Sequence, residues 1–200
     1  MAVIAAAPRG WAVFLDRDGT LNRHVIRDGR RGSPWRLDDL SLVEDAVSAA
    51  ARLRRAGARL FVVTNQPDVE RGFLRRDELN KMHALLADVL GVSAAYVCPH
   101  TAERRCRCRK PASRLLHLAA DDFAVRLPES FVVGDRATDA QAGLNAGLTA
   151  VLLTTSARPS TVPAMSYATT LTSAVTLILR KRDQASATLI ERNLEWNSAQ

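Results

Sequence analysis

The sequence predicts an α/β protein built on a doubly wound parallel sheet. Three observations carry this expectation. Short apolar runs alternate with segments of helical periodicity at the spacing of βαβ units. Glycines close the helical segments, as expected of helix C-caps. Polar clusters follow the apolar runs at their carboxyl ends: Asp16/Asp18, Thr64/Asn65 and Asp135/Asp139. In an open α/β sheet that edge is where ligands bind.

Taken in order, Ala12 to Leu15 is a buried strand ending at Asp16, and Asn22 to Asp39, with Gly29, Gly32 and Pro34, is a loop. Val43 to Ala56 is a helix stopped by Gly57, and Arg59 to Val63 is a second strand leading into Thr64-Asn65-Gln66. Asp77 to Leu90 is a helix closed by Gly91, followed by a third strand over Ala94 to Val97. Ser113 to Asp122 is helical, Ser130 to Val133 is a fourth strand ending at Gly134-Asp135, and Asp139 to Ala146 is a helix before Gly147. Thr149 to Leu153 is a fifth strand. Beyond Thr154 the chain turns Ser/Thr/Pro-rich, with a last helix over Leu171 to Leu179. One domain over 1–180 is expected, with a flexible polar tail over 181–200.

The 200 residues are 47% hydrophobic and 24% charged, enough to bury a core without disulfides. No apolar run is long enough for a membrane span. Met1 to Gly10 lacks a leader pattern, so a cytoplasmic monomer is expected. The net charge of +7 suits nucleic acid, an anionic surface or small anionic substrates. Scattered arginines and an aromatic share of 5% speak against nucleic acid.

Asp16-Arg17-Asp18-Gly19-Thr20 is the sharpest chemical signal. Two carboxylates two residues apart after a strand repel, so they need a cation or a shared proton. Mg²⁺ accepts carboxylate oxygens and leaves room for phosphate. One Asp can then attack phosphorus while the other moves the proton. The plainer reading is a strand-to-turn junction that uses Asp and Gly for turn chemistry. A second signal is Cys98, His100, Cys106 and Cys108, three thiols and an imidazole within eleven residues. That is a closed tetrahedral set for structural Zn²⁺, and nearby Arg104, Arg105, Arg107 and Arg109 are expected to lower the thiol pKa values. Three free core cysteines are the alternative. A zinc loop over 98–108 ends two residues before Lys110 and would aim Arg109 and Lys110.

The first motif resembles that of the haloacid-dehalogenase superfamily of phosphatases, and the resemblance continues through three further motifs over roughly Val13 to Leu153. It implies a Rossmann-like sheet in which Asp16 is the nucleophile that forms an aspartyl-phosphate. Asp18 is then the acid/base, with its main-chain carbonyl facing Mg²⁺. Val62 to Gln66 is similar to the second motif, which implies phosphate binding by Thr64, Asn65 and Gln66; a helix N-cap is the alternative reading of Thr64 and Asn65. Arg109-Lys110-Pro111 is similar to the third, with Lys110 neutralising phosphate and nucleophile and Arg109 holding a phosphate or polyol. Gly134 to Asp139 is similar to the fourth. It implies Asp135 as a Mg²⁺ ligand, Asp139 as a support for Lys110, and Arg136 against the substrate.

The cysteine arrangement is similar to the zinc-loop branch of that superfamily, which contains D-glycero-D-manno-heptose 1,7-bisphosphate phosphatases and the histidinol-phosphatase domain and lacks a large cap. Asp16 to Asn22 and Arg71-Gly72-Phe73 resemble the heptose group. The short His100-to-Cys106 spacer and the Gly134-to-Asp139 string also resemble the histidinol group. Pro67-Asp68-Val69-Glu70 departs from the Gly-containing segment usual at that place. Trp35 and His24 are placed to contact substrate, with a surface histidine as the stronger reading of His24. The expected activity is Mg²⁺-dependent hydrolysis of a small phosphomonoester. A heptose 1,7-bisphosphate losing its 7-phosphate comes first, and histidinol phosphate second. A non-catalytic zinc-bearing binding module is the alternative of another class. The expected partner is a small phosphorylated metabolite, with no nucleic acid or membrane.

Overall fold

A computed structural model describes residues 10–155 and 166–198, with side chains as far as 185. The reading of the first nine residues, and that of most of the Ser/Thr/Pro-rich stretch, lie outside the described residues. The elements run β1 (Ala12–Leu15), β2 (Val25–Arg27), β3 (Arg30–Gly32), α1 (Ala46–Arg55), β4 (Arg59–Asn65), α2 (Arg76–Leu90) and β5 (Ala94–Cys98). Then come α3 (Arg114–Phe123), β6 (Phe131–Gly134), α4 (Ala137–Asn145), β7 (Thr149–Leu153), β8 (Ser166–Ala168) and α5 (Leu171–Ser198). Six strands form one parallel sheet in the order β5-β4-β1-β6-β7-β8.

Alternation along the strands divides the core in two. Val13, Leu15, Leu60, Val62 and Val133 pack with Leu53 of α1, Leu86 and Leu90 of α2, and Val175 and Ile178 of α5. Ala12, Phe14, Phe61, Val63 and Val132 face Leu116 and Ala119 of α3 and Ala142 of α4. Helices therefore cover both faces, and every inner strand reads as an unbroken apolar run. The chain moves outward from β1 on one side through β4 and β5, then returns to start the other side at β6. The topological switch point thus lies between β1 and β6, where the strand ends carry Asp16 and Asp135.

Three elements differ from the sequence reading. The loop over Asn22 to Asp39 contains the β2–β3 hairpin, whose turn residues Asp28 and Gly29 have φ of 49° and 70°. An Asp-Gly pair with both φ positive is a two-residue hairpin turn that matches strand twist. A sixth strand, β8, hides in a Ser/Thr-rich stretch and, among the described residues, pairs with β7 alone. The last helix runs on to Ser198, through residues expected to form a tail. Its extension is anchored by Arg182, which lies over the Trp11 ring and 3.5 Å from Glu129. Among the described residues no helix is long and apolar enough to cross a membrane.

Phe61 is fully buried, stacked on Phe14 at 5.4 Å between ring centres and tilted against Phe123 at 4.9 Å. Phe61→Ala is expected to lower unfolding free energy by about 3–5 kcal/mol in urea titrations, against under about 1 kcal/mol for the half-exposed Leu85→Ala.

Candidate active site

Because β1, β4 and β6 are adjacent and parallel, their carboxyl ends open on one edge. Asp16 follows β1 and its backbone N–H bonds to the Val133 carbonyl of β6 at 2.9 Å, so the two strand ends are locked in register. Oxygens of Asp16, Asp135 and Asp139 come within 4.8 Å of one another. Gly19 turns the chain back beside them at φ +84°, and a side chain there would run into Asp135 and His24.

Lys110 stands among these acids. Its Nζ donates to Asp16 Oδ1 at 2.9 Å and to the Val63 carbonyl at 2.6 Å, and lies 2.6 Å from Asp139 Oδ1. Burial disfavours its charge, but Asp16 and Asp139 outweigh burial and hold the ammonium above its ordinary range. Burial also pushes Asp16 up to about 6; Lys110 offsets part of this, and Asp139 adds to it. Three carboxylates against one ammonium leave an excess of two negative charges in a nearly dry site. Asp135 Oδ1 is also buried without a hydrogen-bond partner. Charge and orphaned oxygen together fit a divalent, oxygen-seeking cation held by Asp16 and Asp135. Asp139 belongs to the lysine instead, since its other oxygen accepts from the Arg136 backbone N–H at 3.0 Å.

Asp18 is held differently. Arg17, which the sequence reading left without a role, is fully buried and grips Asp18 through Nε at 3.0 Å and Nη2 at 3.1 Å. Ser33 Oγ (2.7 Å), Gln66 Nε2 (2.8 Å) and Asn22 Nδ2 (3.0 Å) complete the shell. Burial alone would raise this carboxyl, but Arg17 and the three hydrogen bonds outweigh it and hold it below the usual carboxylate range. A fully buried arginine must find an acid, and its place between Asp16 and Asp18 was the signal for it.

The second motif splits by position. Thr64 lines the cavity, and its Oγ1 accepts from Gln66 Nε2 at 2.9 Å, which leaves the hydroxyl hydrogen to donate to a phosphate oxygen. Asn65 lines the cavity too, yet its amide is engaged with the Lys110 backbone, donating to the carbonyl at 3.2 Å and accepting from N–H at 3.1 Å. Gln66 is fully buried and serves Asp18 rather than facing the cavity. His24, read more strongly as a surface histidine, instead bonds Asp135 Oδ2 at 3.0 Å. That hydrogen bond raises its pKa. Trp35 donates to Asp68 and does not line the cavity. Arg109 and Arg136 both line it; Arg109 also donates to the His100 carbonyl at 2.9 Å. The cavity measures about 830 Å³.

Beside it, Cys98, His100, Cys106 and Cys108 converge within 4.8 Å. Sulfur–sulfur separations are 3.5 Å and 3.4 Å, and His100 Nδ1 lies 3.8 Å and 3.3 Å from Cys98 and Cys108. A tetrahedral zinc at ordinary bond lengths would need edges of about 3.8 Å between sulfurs and about 3.6 Å from sulfur to nitrogen, so the donor set fits. The expected lowering of all three thiols by arginine does not occur. Burial pushes Cys98 up to about 12 and raises Cys108. Burial also works against Cys106, but hydrogen bonds from the Cys108 and Arg109 backbone and from the neighbouring thiols bring it down to about 6. The reason is geometric: Arg104 turns to Glu70, Arg105 faces the cavity, and Arg109 takes the His100 carbonyl.

Fold and site together define a phosphomonoesterase of the haloacid-dehalogenase type. Residues 107–174 match the family described as HAD-hyrolase-like. A probable D-glycero-D-manno-heptose-1,7-bisphosphate 7-phosphatase of Thermoplasma acidophilum is 38% identical over 144 residues, covering 68% of this chain and 85% of the relative. The D-glycero-beta-D-manno-heptose-1,7-bisphosphate 7-phosphatase of Haemophilus influenzae is 30% identical over 161 residues, covering 75% and 84%. Among solved structures, the D,D-heptose 1,7-bisphosphate phosphatase from B. bronchiseptica, complexed with magnesium and phosphate, superposes with a TM-score of 0.72 at 26% identity, covering 86% of this chain and 99% of that one. The chain belongs to the haloacid-dehalogenase-like hydrolases, in the branch that holds these relatives.

Two outcomes are expected from this geometry. Arg17→Met leaves Asp18 charged and buried, so urea titration should show a loss of about 3–5 kcal/mol, partly recovered by adding Asp18→Asn. His83 on α2 is half-buried beside the pair; desolvation first, then the Arg17 charge, brings its pKa down to about 4 from an ordinary 6.5. The unfolded chain therefore takes up this proton first as pH falls. Stability from His83 is intact above pH 6.5 and is lost between there and pH 4, by at most about 3 kcal/mol. His83→Asn should remove that part of the slope in melts across this range.

Proposed function

We propose that the chain is a D-glycero-D-manno-heptose 1,7-bisphosphate 7-phosphatase working through an aspartyl-phosphate, with catalysis confined to the 1–180 domain and the protein acting in the cytoplasm. The observation that carries this reading is the buried Lys110, held by both Asp16 and Asp139 at the switch point of the sheet. A divalent cation, Mg²⁺ by its oxygen donors, would be held by Asp16, Asp135 and the Asp18 main-chain carbonyl, and would neutralise charge on phosphate oxygens. Cys98, His100, Cys106 and Cys108 would hold a structural Zn²⁺, with no open position for chemistry.

Thr64 and Lys110 hold the phosphoryl group and orient it toward Asp16. Asp16 oxygen bonds to phosphorus as the sugar oxygen leaves, and Asp18 gives that oxygen its proton. Water then attacks the phosphorus, Asp18 takes its proton, and inorganic phosphate departs with Asp16 restored. Asp18 rests as a carboxylate, suited to the second half of this cycle. For the first half, an arriving phosphate dianion favours its protonation by like-charge repulsion.

The cavity walls favour the bisphosphate over histidinol phosphate. Arg31, Arg105, Arg109 and Arg136 line the cavity, whereas the acids there are engaged: Asp18 by Arg17, Asp68 by Arg71, and Asp16 and Asp139 by the one ammonium of Lys110, with their remaining negative charge left for the cation. The alcohol released from histidinol phosphate carries an ammonium, which such a wall repels. A phosphorylated heptose carries a second dianion, which it attracts. The names of the relatives point the same way. A binding module without activity would not need the full set Asp16, Asp18, Lys110 and Asp135.

Asp16→Asn is expected to keep the circular-dichroism spectrum and lose phosphate release from heptose 1,7-bisphosphate by at least about 10³-fold. Chelation should stop the wild type and Mg²⁺ restore it. Wild-type turnover in Asp16→Asn would overturn the nucleophile assignment.

A further inference from the structure

The four acids of the site are held unequally. Asp18 has Arg17 and three hydrogen bonds, Asp16 has Lys110, and Asp139 has Lys110 and the Arg136 backbone N–H. Among the described residues the Asp135 carboxylate has one partner, the His24 ring, whose Nε2 lies 3.0 Å from Oδ2. Its other oxygen, Oδ1, is buried with nothing to bond. A carboxylate only accepts, so the ring places an N–H on Nε2. Nδ1, the other ring nitrogen, is buried without a partner. The imidazole thus forgoes a hydrogen bond at one nitrogen and commits the other to Asp135. A buried polar atom left unmatched costs stability, so its retention calls for a reason.

Three features bring the ring there. Gly19 keeps the gap open, since a Cβ at that position would fall on both Asp135 Oδ2 and His24 Nε2. The Arg23 N–H bonds the Ser41 carbonyl at 2.8 Å and Asn22 Nδ2 bonds the Arg23 carbonyl at 2.9 Å, which fixes the backbone on the approach to His24. The hairpin then begins: His24 precedes β2, Ser33 follows β3, and the ladder pair next to them is Val25 with Gly32. Each foot of the hairpin therefore holds one acid, Ser33 taking Asp18 at 2.7 Å and His24 taking Asp135. His24 is not part of the wall of the substrate cavity. It lines a second cavity of about 760 Å³, together with Asp135 and Gly19.

We propose that His24 is a positioning residue for the cation: by donating to Oδ2 it fixes the rotation of the Asp135 carboxylate and leaves Oδ1 as the ligand oxygen. This rests on the reading of Asp16 and Asp135 as the acids that hold Mg²⁺. The last torsion of an Asp side chain is broad and roughly two-fold, so a carboxylate that nothing holds must be ordered by the ion itself. Lys110 does this work for Asp16 before any ion arrives, and His24 does it for Asp135. A partner of this kind acts through the ligand it orients, and its loss lowers metal affinity by about 10–100-fold.

The probe is the metal alone. Mn²⁺, which takes the same oxygen donors, is titrated without substrate into protein dialysed free of Mg²⁺, and the unbound ion is read by electron paramagnetic resonance. Mg²⁺ activation of phosphate release is measured beside it. His24→Ala and His24→Asn should weaken Mn²⁺ binding and raise the half-activating Mg²⁺ concentration about 10–100-fold, with kcat at saturating Mg²⁺ within about threefold of wild type. His24→Gln, whose amide N–H reaches about as far as Nε2, should bind Mn²⁺ within about threefold of wild type. The two amides separate a directed hydrogen bond from packing, and urea titration checks that each variant folds. Unchanged Mn²⁺ binding in His24→Ala overturns the proposal, as does an equal loss in His24→Gln and His24→Ala. A higher KM for the heptose ester with unchanged Mn²⁺ binding also overturns it and puts the ring on the substrate. Mn²⁺ binding needs no turnover, so a wild type that hydrolyses no phosphate ester, with Mn²⁺ binding weakened by His24→Ala, removes the phosphatase reading and keeps this one. A wild type that binds no Mn²⁺ removes the cation site and this inference with it.

Discussion

The site depends on one buried ammonium. Lys110 satisfies Asp16 and Asp139 at once and fixes its own height by bonding the Val63 carbonyl of β4. Burying three carboxylates without it would be prohibitive, and with it the cluster still carries a negative excess. That residue of charge makes the site receptive to a divalent cation and, through the cation, to phosphate. Much of the surrounding polar structure holds this lysine and its acids in place. Asn65 clamps the backbone of Lys110, the Arg136 N–H holds Asp139, and the Asp16 N–H is fastened to β6.

The two carboxylates of the first motif are tuned in opposite senses although two residues separate them. Asp16 is driven up by burial, to about 6, beside one ammonium shared with Asp139. Asp18 is held low by Arg17, Ser33, Gln66 and Asn22. Neighbouring acids kept apart in this way can take different parts in one reaction. The arginine between them is the device: alternation sends it into the apolar interior against Met82, where its charge has Asp18 as a partner.

Loops, not a separate cap, shape the remainder of the cavity. The hairpin contributes Ser33 to Asp18 and the Cys/His loop carries Arg109 and Lys110 from its end, so each loop touches both the chemistry and the mouth. The segment after β4 links them, Asp68 accepting from the Trp35 indole N–H and Glu70 from the Thr101 backbone N–H.

The order of strands and helices, the acids at the strand ends and the metal-like Cys/His spacing were all legible in the chain, because each depends on local periodicity or on spacing over a few residues. Asp28-Gly29 was a readable hairpin signal that a broad loop assignment passed over. β8 was not readable, since Ser166-Tyr167-Ala168 becomes a strand only by pairing with β7. Nor could spacing tell that Gln66 turns inward to Asp18, that Asn65 spends its amide on Lys110, or that His24 reaches Asp135, 111 positions away. Period and chain direction already place the reactive groups on the ligand-binding edge, so their position could be read from the chain. Their pairing could not, because a buried charge takes whatever partner the packing of distant segments brings within reach.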